Sequence, residues 1–162
     1  MVNYSALVHV VKKITEKNSV PCKKTLQKMV FLIEEKGLNI GCDYGIHFYG
    51  PYSSDLDFAV HELTDEGVLN IEYTPMNHFI SINDDSKIES YENEEMDNVI
   101  DEFAKESPSE LELIATVLYL YLNVHNIEKV RSGVLKIKGE KYSIAQINSA
   151  IERLKKTQYI NI

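Results

Sequence analysis

Residues Ser107 to Val124 read SPSELELIATVLYLYLNV, and from Leu113 to Val124 only Thr116 and Asn123 interrupt the apolar run. Ser107 is placed to cap a helix, Pro108 suits its first position, and Glu110 stands where a capping-box partner belongs. A helix that is apolar around most of its circumference has no face to offer water, so other elements must enclose it. The run is too short to cross a bilayer, which needs about 20 residues. The expectation is a central, buried helix over Glu110 to Leu122. A chain of 162 residues fits one domain, or two very small ones sharing a core.

Periodicity and stop signals describe what surrounds that helix. Leu7, Val8, Val11 and Ile14 share one face of a helix over Tyr4 to Lys17, which NSVPCKK ends. Lys23 to Lys36 turns Leu26, Met29, Val30 and Ile33 inward and stops at Gly37. YGIHFY reads as a short strand and GPYSSD as a turn. Ser54, with Asp57 three residues on, resembles a capping box for a third helix that ends at Gly67. Ile71 and Tyr73, then Phe79, Ile80 and Ile82, flank Thr-Pro-Met-Asn and predict a β-hairpin over Val68 to Asn83. Helix, helix, short strand, helix, hairpin is the order of a winged-helix domain. Its predicted core is Leu7, Val11, Leu26, Val30, Ile33, Phe48, Leu56, Val60 and Leu63.

Asp84 to Glu106 holds ten acids and two lysines. Composition alone suggests disorder, yet Met96, Val99, Ile100 and Phe103 fall at i, i+3, i+4 and i+7. That stripe predicts a helix docked by one face within Tyr91 to Phe103. Ile127 to Ile137 reads as a weaker helix with Gly133 inside it, and Ser143 with Gln146 caps the last one. The expected fold class is mainly α with a small β-hairpin (α+β). A winged-helix-like unit at 1–83 leads through an acidic connecting helix at 84–106. A helical, helix-turn-helix-like unit at 107–162 packs on the first.

The last helix repeats the third. With Leu63 laid over Leu154, Leu56 meets Ile147, Ala59 meets Ala150 and Val60 meets Ile151. Val68-Leu69-Asn70-Ile71 then meets Tyr159-Ile160-Asn161-Ile162. The constant distance from helix to tail exceeds what periodicity supplies and predicts similar local structure, including a strand-like YINI at the C-terminus.

KTLQKMVFLIEEKGLNIGCDYGIHFYGPYSSDL, with its Leu26, Lys28, Phe31, Gly37 and Tyr49-Gly50-Pro51 turn before an amphipathic helix, resembles the YwgA-like group of small uncharacterised bacterial proteins. It is more distantly similar to the SocA-like antitoxin domain, Panacea. The Panacea resemblance implies a non-enzymatic protein that neutralises a toxin or serves as a proteolytic adaptor through direct binding. The similarity covers residues 22–72.

No catalytic, cofactor or metal motif is legible. The five histidines are scattered, without H-E-x-x-H, and Cys22 and Cys42 make no Cys-x-x-Cys. Two cysteines make no disulfide framework, and the N-terminus does not read as a signal peptide, so a reducing cytoplasm is the expected location. Glu34-Glu35 and Glu94-Glu95 are helical neighbours that point apart, not acid/base pairs. Glycine and proline explain the turn at Tyr49-Gly50-Pro51-Tyr52, but not its two tyrosines, which are candidate partner anchors.

The net charge of −8 opposes non-specific nucleic-acid binding. The third helix would face DNA with Asp55, Asp57, Glu62, Asp65 and Glu66, and the hairpin has no Lys or Arg. The last helix instead carries Arg153, Lys155 and Lys156, the candidate binding cations, with Lys136, Lys138 and Lys141 just before it. The expected role is a non-catalytic interaction or regulatory protein, antitoxin-like or adaptor-like, with a protein partner. The alternative is a winged-helix transcriptional regulator reading DNA through its C-terminal helix, the one face at which nucleic acid is expected. No membrane contact is expected, and a homodimer is compatible with the pattern.

Overall fold

A computed structural model describes residues 1–162. Helices α1 (Tyr4–Lys17) and α2 (Lys23–Glu34) lead into a small hairpin, β1 (Gly45–His47) with β2 (Gly50–Tyr52). Then come α3 (Ser54–Asp65) and a second hairpin, β3 (Leu69–Tyr73) with β4 (His78–Ile82). Four helices follow: α4 (Glu94–Phe103), α5 (Pro108–Val124), α6 (Ile127–Lys138) and α7 (Ile144–Lys156). The fold is mainly helical with two separate antiparallel hairpins, so α+β.

Helix α5 is enclosed as its composition requires. Every side chain from Leu111 to Leu118 is buried, and α2, α6, α7 and β2 surround it. Ser107 accepts from the Glu110 amide, and Pro108 opens the helix. Gly133 is where α6 meets α5: a Cβ there would lie 3.2 Å from Leu120 Cδ1. Its helix-propensity cost of about 1 kcal/mol is offset by that close approach. One hydrophobic cluster of 41 residues runs from Ala6 to Ile160, so both halves of the chain share a core.

The acidic segment docks as its stripe predicts, with Met96, Val99, Ile100 and Phe103 all buried. Asn93 caps α4, and Glu94, Glu95 and Asp97 occupy its first turn, where the helix dipole favours negative charge. Ion pairs to other elements hold it, among them Lys17 Nζ to Asp101 Oδ1 at 3.1 Å. His9 Nε2 lies 2.6 Å from Asp97 Oδ1, and Arg153 binds Glu102 and Glu106, each at 2.9 Å.

The repeated pattern gives two helices with the same ending. Gly67 and Gln158 both turn left-handed, at φ 78° and 65°. Val68 N donates to Leu63 O and Tyr159 N to Leu154 O, at 2.9 and 2.8 Å. Both are Schellman-type caps. Beyond them the segments diverge. Leu69 enters β3 because β4 supplies a partner, whereas YINI has no neighbouring strand and is not one. Ile160 instead fills the core at 2% exposure, and the Tyr159 hydroxyl donates to Leu32 O at 2.7 Å.

Three further expectations are corrected. Phe48, predicted as core, is 78% exposed, because it sits on the two-residue turn between β1 and β2. Gly50 to Tyr52 is itself a strand, paired with Gly45 to His47. The cap of α3 is Ser53, which accepts from the Leu56 amide at 3.2 Å, one residue earlier than Ser54.

Candidate functional site: a lysine cluster beneath the Tyr49–Tyr52 hairpin

Interior side chains hold the β1–β2 hairpin by its backbone. Gln27 Nε2 donates to Ser53 O at 2.9 Å, and Ser53 N donates to Gln27 Oε1 at 2.8 Å. Lys28 Nζ donates to Pro51 O at 2.9 Å, and Lys138 Nζ donates to Phe48 O. Gly50 makes the close approach possible. Its φ is +95°, and a Cβ would stand 2.7 Å from Thr116 Oγ1 on α5. Only glycine takes that backbone conformation without strain.

Directly beneath lies Glu112, with a fully buried side chain. Lys141 Nζ and the Tyr142 hydroxyl each donate to its Oε2 at 2.7 Å. Lys138 Nζ is 3.4 Å from Oε2, and Lys24 Nζ is 3.9 Å from Oε1, which accepts no hydrogen bond. Lys24, Lys28, Lys138 and Lys141 bring four positive charges to one carboxylate, a local excess of three in a chain of net charge −8.

The protonation equilibria report this crowding. Burial pushes the Lys28 ammonium down to about 8; nearby Lys138 and Lys24 add to that, and Glu112 opposes it. Burial also lowers Lys138. For Glu112, burial would raise the carboxyl, but hydrogen bonds from Lys141 and Tyr142 and the charge of Lys138 outweigh it and hold the group below its ordinary range. Burial and the bond to Glu112 raise the Tyr142 phenol, so it stays a donor.

Tyr49 and Tyr52 border this cluster. Tyr49 is half exposed; Lys24 Nζ sits 4.1 Å from its ring centroid and Lys141 Nζ 5.8 Å. Tyr52 stacks with His47 at 4.8 Å and faces Lys23 Nζ at 5.9 Å. A groove of about 320 Å³ runs from these tyrosines to the tip of the β3–β4 hairpin. Lys23, Lys24, Gln27 and Lys28 also line it, with Met76, Asn77 and His78 on the far side.

Arg153, Lys155 and Lys156 lie on α7, outside this cluster. Arg153 is engaged with Glu102 and Glu106 and stacks over Phe103 at 5.0 Å. Lys155 pairs with Glu152 at 3.0 Å. Lys156 borders a wider groove between α4 and the chain end, beside Glu102 and Lys36. Sequence reasoning missed Phe48 as an exposed residue, and missed Lys24 and Glu112. It named Lys28 only for the resemblance it carries, and grouped Lys138 and Lys141 with the cations of the last helix rather than with this cluster. One signal was available: Lys28 and Glu112 are charges inside strongly apolar helical runs, which require partners when buried.

No family model matches the chain. It is 25% identical over 158 residues to the uncharacterised protein YwgA of Bacillus subtilis (strain 168), covering 92% of this chain and 94% of that protein. The chain therefore resembles YwgA over nearly its whole length, beyond the segment around the Tyr49-Gly50-Pro51 turn.

Proposed function

We propose that this protein is a non-catalytic interaction protein that binds a protein partner through the tip of its β1–β2 hairpin. The observation that carries the reading is the Phe48–Tyr49 pair. Phe48 is 78% exposed, edge-on to Tyr49 at 5.0 Å, on a backbone fixed from below by Lys28 and Lys138. Exposed aromatics on a rigid support are typical binding anchors, because little conformational entropy is lost on docking. The lysines around the tip favour an acidic partner surface. An antitoxin-like or adaptor-like role is one form of this activity, consistent with the resemblance to Panacea.

The order α1, α2, α3, hairpin supports a winged-helix-like reading of the N-terminal half. So does the edge contact in which Cys22 pairs with Phe79, while Ile80 N donates to Pro21 O at 2.9 Å. In that frame α3 would be the recognition helix, and it exposes acids unsuited to phosphate. The alternative of DNA binding through α7 has weaker support, since Arg153 and Lys155 are already paired within the chain.

Affinity purification from native cells, comparing the wild type with Phe48→Ala/Tyr49→Ala, tests the reading. The expected result is a protein recovered with the wild type and lost with the variant, at unchanged thermal stability. Recovery of the same proteins by both would overturn it.

A further inference from the structure

We propose that the groove between the two hairpin tips binds a mononucleotide, its phosphate on Lys24 and its base against Tyr49 and Tyr52. The groove shares Tyr49 with the proposed partner surface, but Phe48 does not line it. Phe48→Ala should therefore leave nucleotide binding unchanged while it weakens partner binding, and the two readings can fail separately.

Charge comes first. The nine lining residues include three lysines and no carboxylate. Two carboxylates lie just outside: Asp57, 2.8 Å from Lys23, and Glu112, 3.9 Å from Lys24. Lys138 and Lys141 share Glu112, so five ammonium groups face two carboxylates, again an excess of three. Lys28 lines the floor almost without exposure and already donates to Pro51 O. Its role is to add field from beneath. Lys24 is about one-third exposed and donates no hydrogen bond. Its Nζ lies 3.9 Å from Glu112 and 4.1 Å over the Tyr49 ring, within the cluster and at the groove, where a ligand oxygen can accept its hydrogen bonds. A compact excess of three positive charges is better matched by a phosphate dianion than by a single carboxylate, and lysine binds phosphate as a point charge.

Shape and surface come second. A volume of about 320 Å³ is at the lower end of small-ligand pockets, too short for an extended peptide of more than a few residues. Tyr49 and Tyr52 supply ring faces, and Met76 an apolar wall opposite. Base–aromatic stacking is worth about 1–3 kcal/mol and tolerates any base. Asn77 and His78 at the rim offer polar groups to a base edge or ribose.

The test is a titration of the isotope-labelled full chain, followed by amide chemical shifts, with AMP, adenosine, inorganic phosphate, the dinucleotide pApA and phosphotyrosine. Saturable shifts at Lys24, Gln27, Tyr49 and Asn77 are expected with AMP, at least tenfold tighter than with adenosine or phosphate. Lys24→Gln should weaken AMP fivefold or more and reduce its salt dependence. Tyr49→Ala should weaken AMP and leave inorganic phosphate unchanged. Lys141 and Lys138 still pair with Glu112 in Lys24→Gln, and a thermal melt of each variant checks that the fold is kept. Three results would overturn the proposal: no saturable shift with AMP, GMP, CMP or UMP; AMP no tighter than inorganic phosphate; or pApA or phosphotyrosine bound tenfold tighter than any mononucleotide.

Discussion

A carboxylate without exposed surface persists as an anion only if its charge is matched, and Glu112 is matched by Lys141, Lys138, Lys24 and the Tyr142 hydroxyl. Burial, reinforced by the nearby Lys138 and Lys24 charges, penalises the Lys28 ammonium. Its folded-state value of about 8 lies below the ordinary lysine value of 10.5, so the unfolded chain holds this proton more tightly. The sign follows. Charged Lys28 opposes folding below pH 8, and that penalty is relieved as pH rises from about 8 toward the unfolded value. Cys42, pushed by burial up to about 12, acts in the opposite direction, because its unfolded thiol ionises first. Lys28→Met retains Cys42 and removes the lysine's proton. Urea unfolding of both proteins between pH 7 and 9.5 should show the wild type gaining on the variant above pH 8, by at most about 1.4 kcal/mol per pH unit. A constant difference across that range would show that Lys28 titrates normally.

Helices α3 and α7 share four buried positions, and the same hydrogen bonds close both. Leu56, Ala59, Val60 and Leu63 correspond to Ile147, Ala150, Ile151 and Leu154, and each is at most 4% exposed. The two caps differ in one residue that matters: Gly67 takes its positive φ without strain, whereas Gln158 adopts 65° against the Cβ preference of an ordinary residue. Gln158→Gly should therefore stabilise the protein, by about 0.5–1 kcal/mol, and Gly67→Ala should destabilise it by at least as much. Denaturant midpoints with unchanged m-values would register both. Destabilisation by Gln158→Gly would mean that its side-chain contacts outweigh the backbone strain. The wing beyond α3 and the coil beyond α7 differ for a reason outside either segment: β4 exists to pair with β3, and nothing pairs with YINI.

At the scale of the whole molecule, α5 ties the two halves into one core. It touches α2 and β2 on one side and α6 and α7 on the other. Lys28 and Lys138 reach the same hairpin backbone from opposite ends of the sequence. Fragment 1–83 would uncover the face of α2 that packs on α5, including Phe31, whose ring lies 6.2 Å from that of Tyr119, at about 1.5–3 kcal/mol for each large apolar side chain uncovered. The expectation is that this fragment has no cooperative thermal transition, whereas the full chain melts in a single step by circular dichroism and by tyrosine fluorescence. A fragment with dispersed amide resonances and its own melt would show that α5 is dispensable to the first half.

The sequence by itself determined the helices, the β3–β4 hairpin and the docking of α4, because caps, glycine stops and apolar stripes act within a few residues of one another. It also determined that α5 is interior, since a helix apolar on most sides has no alternative. The tertiary structure alone decided three things. Phe48 points to solvent because the β1–β2 pairing places it on a turn. The C-terminal YINI is coil because a strand needs a neighbour that no local pattern can provide. The lysine cluster exists because two local pairs from distant parts of the chain, Lys24 with Lys28 on α2 and Lys138 with Lys141 at and just after the end of α6, are brought together around Glu112. Local chemistry fixes an element, but convergence of charge depends on how elements cross, and that information is carried by the packed core as a whole.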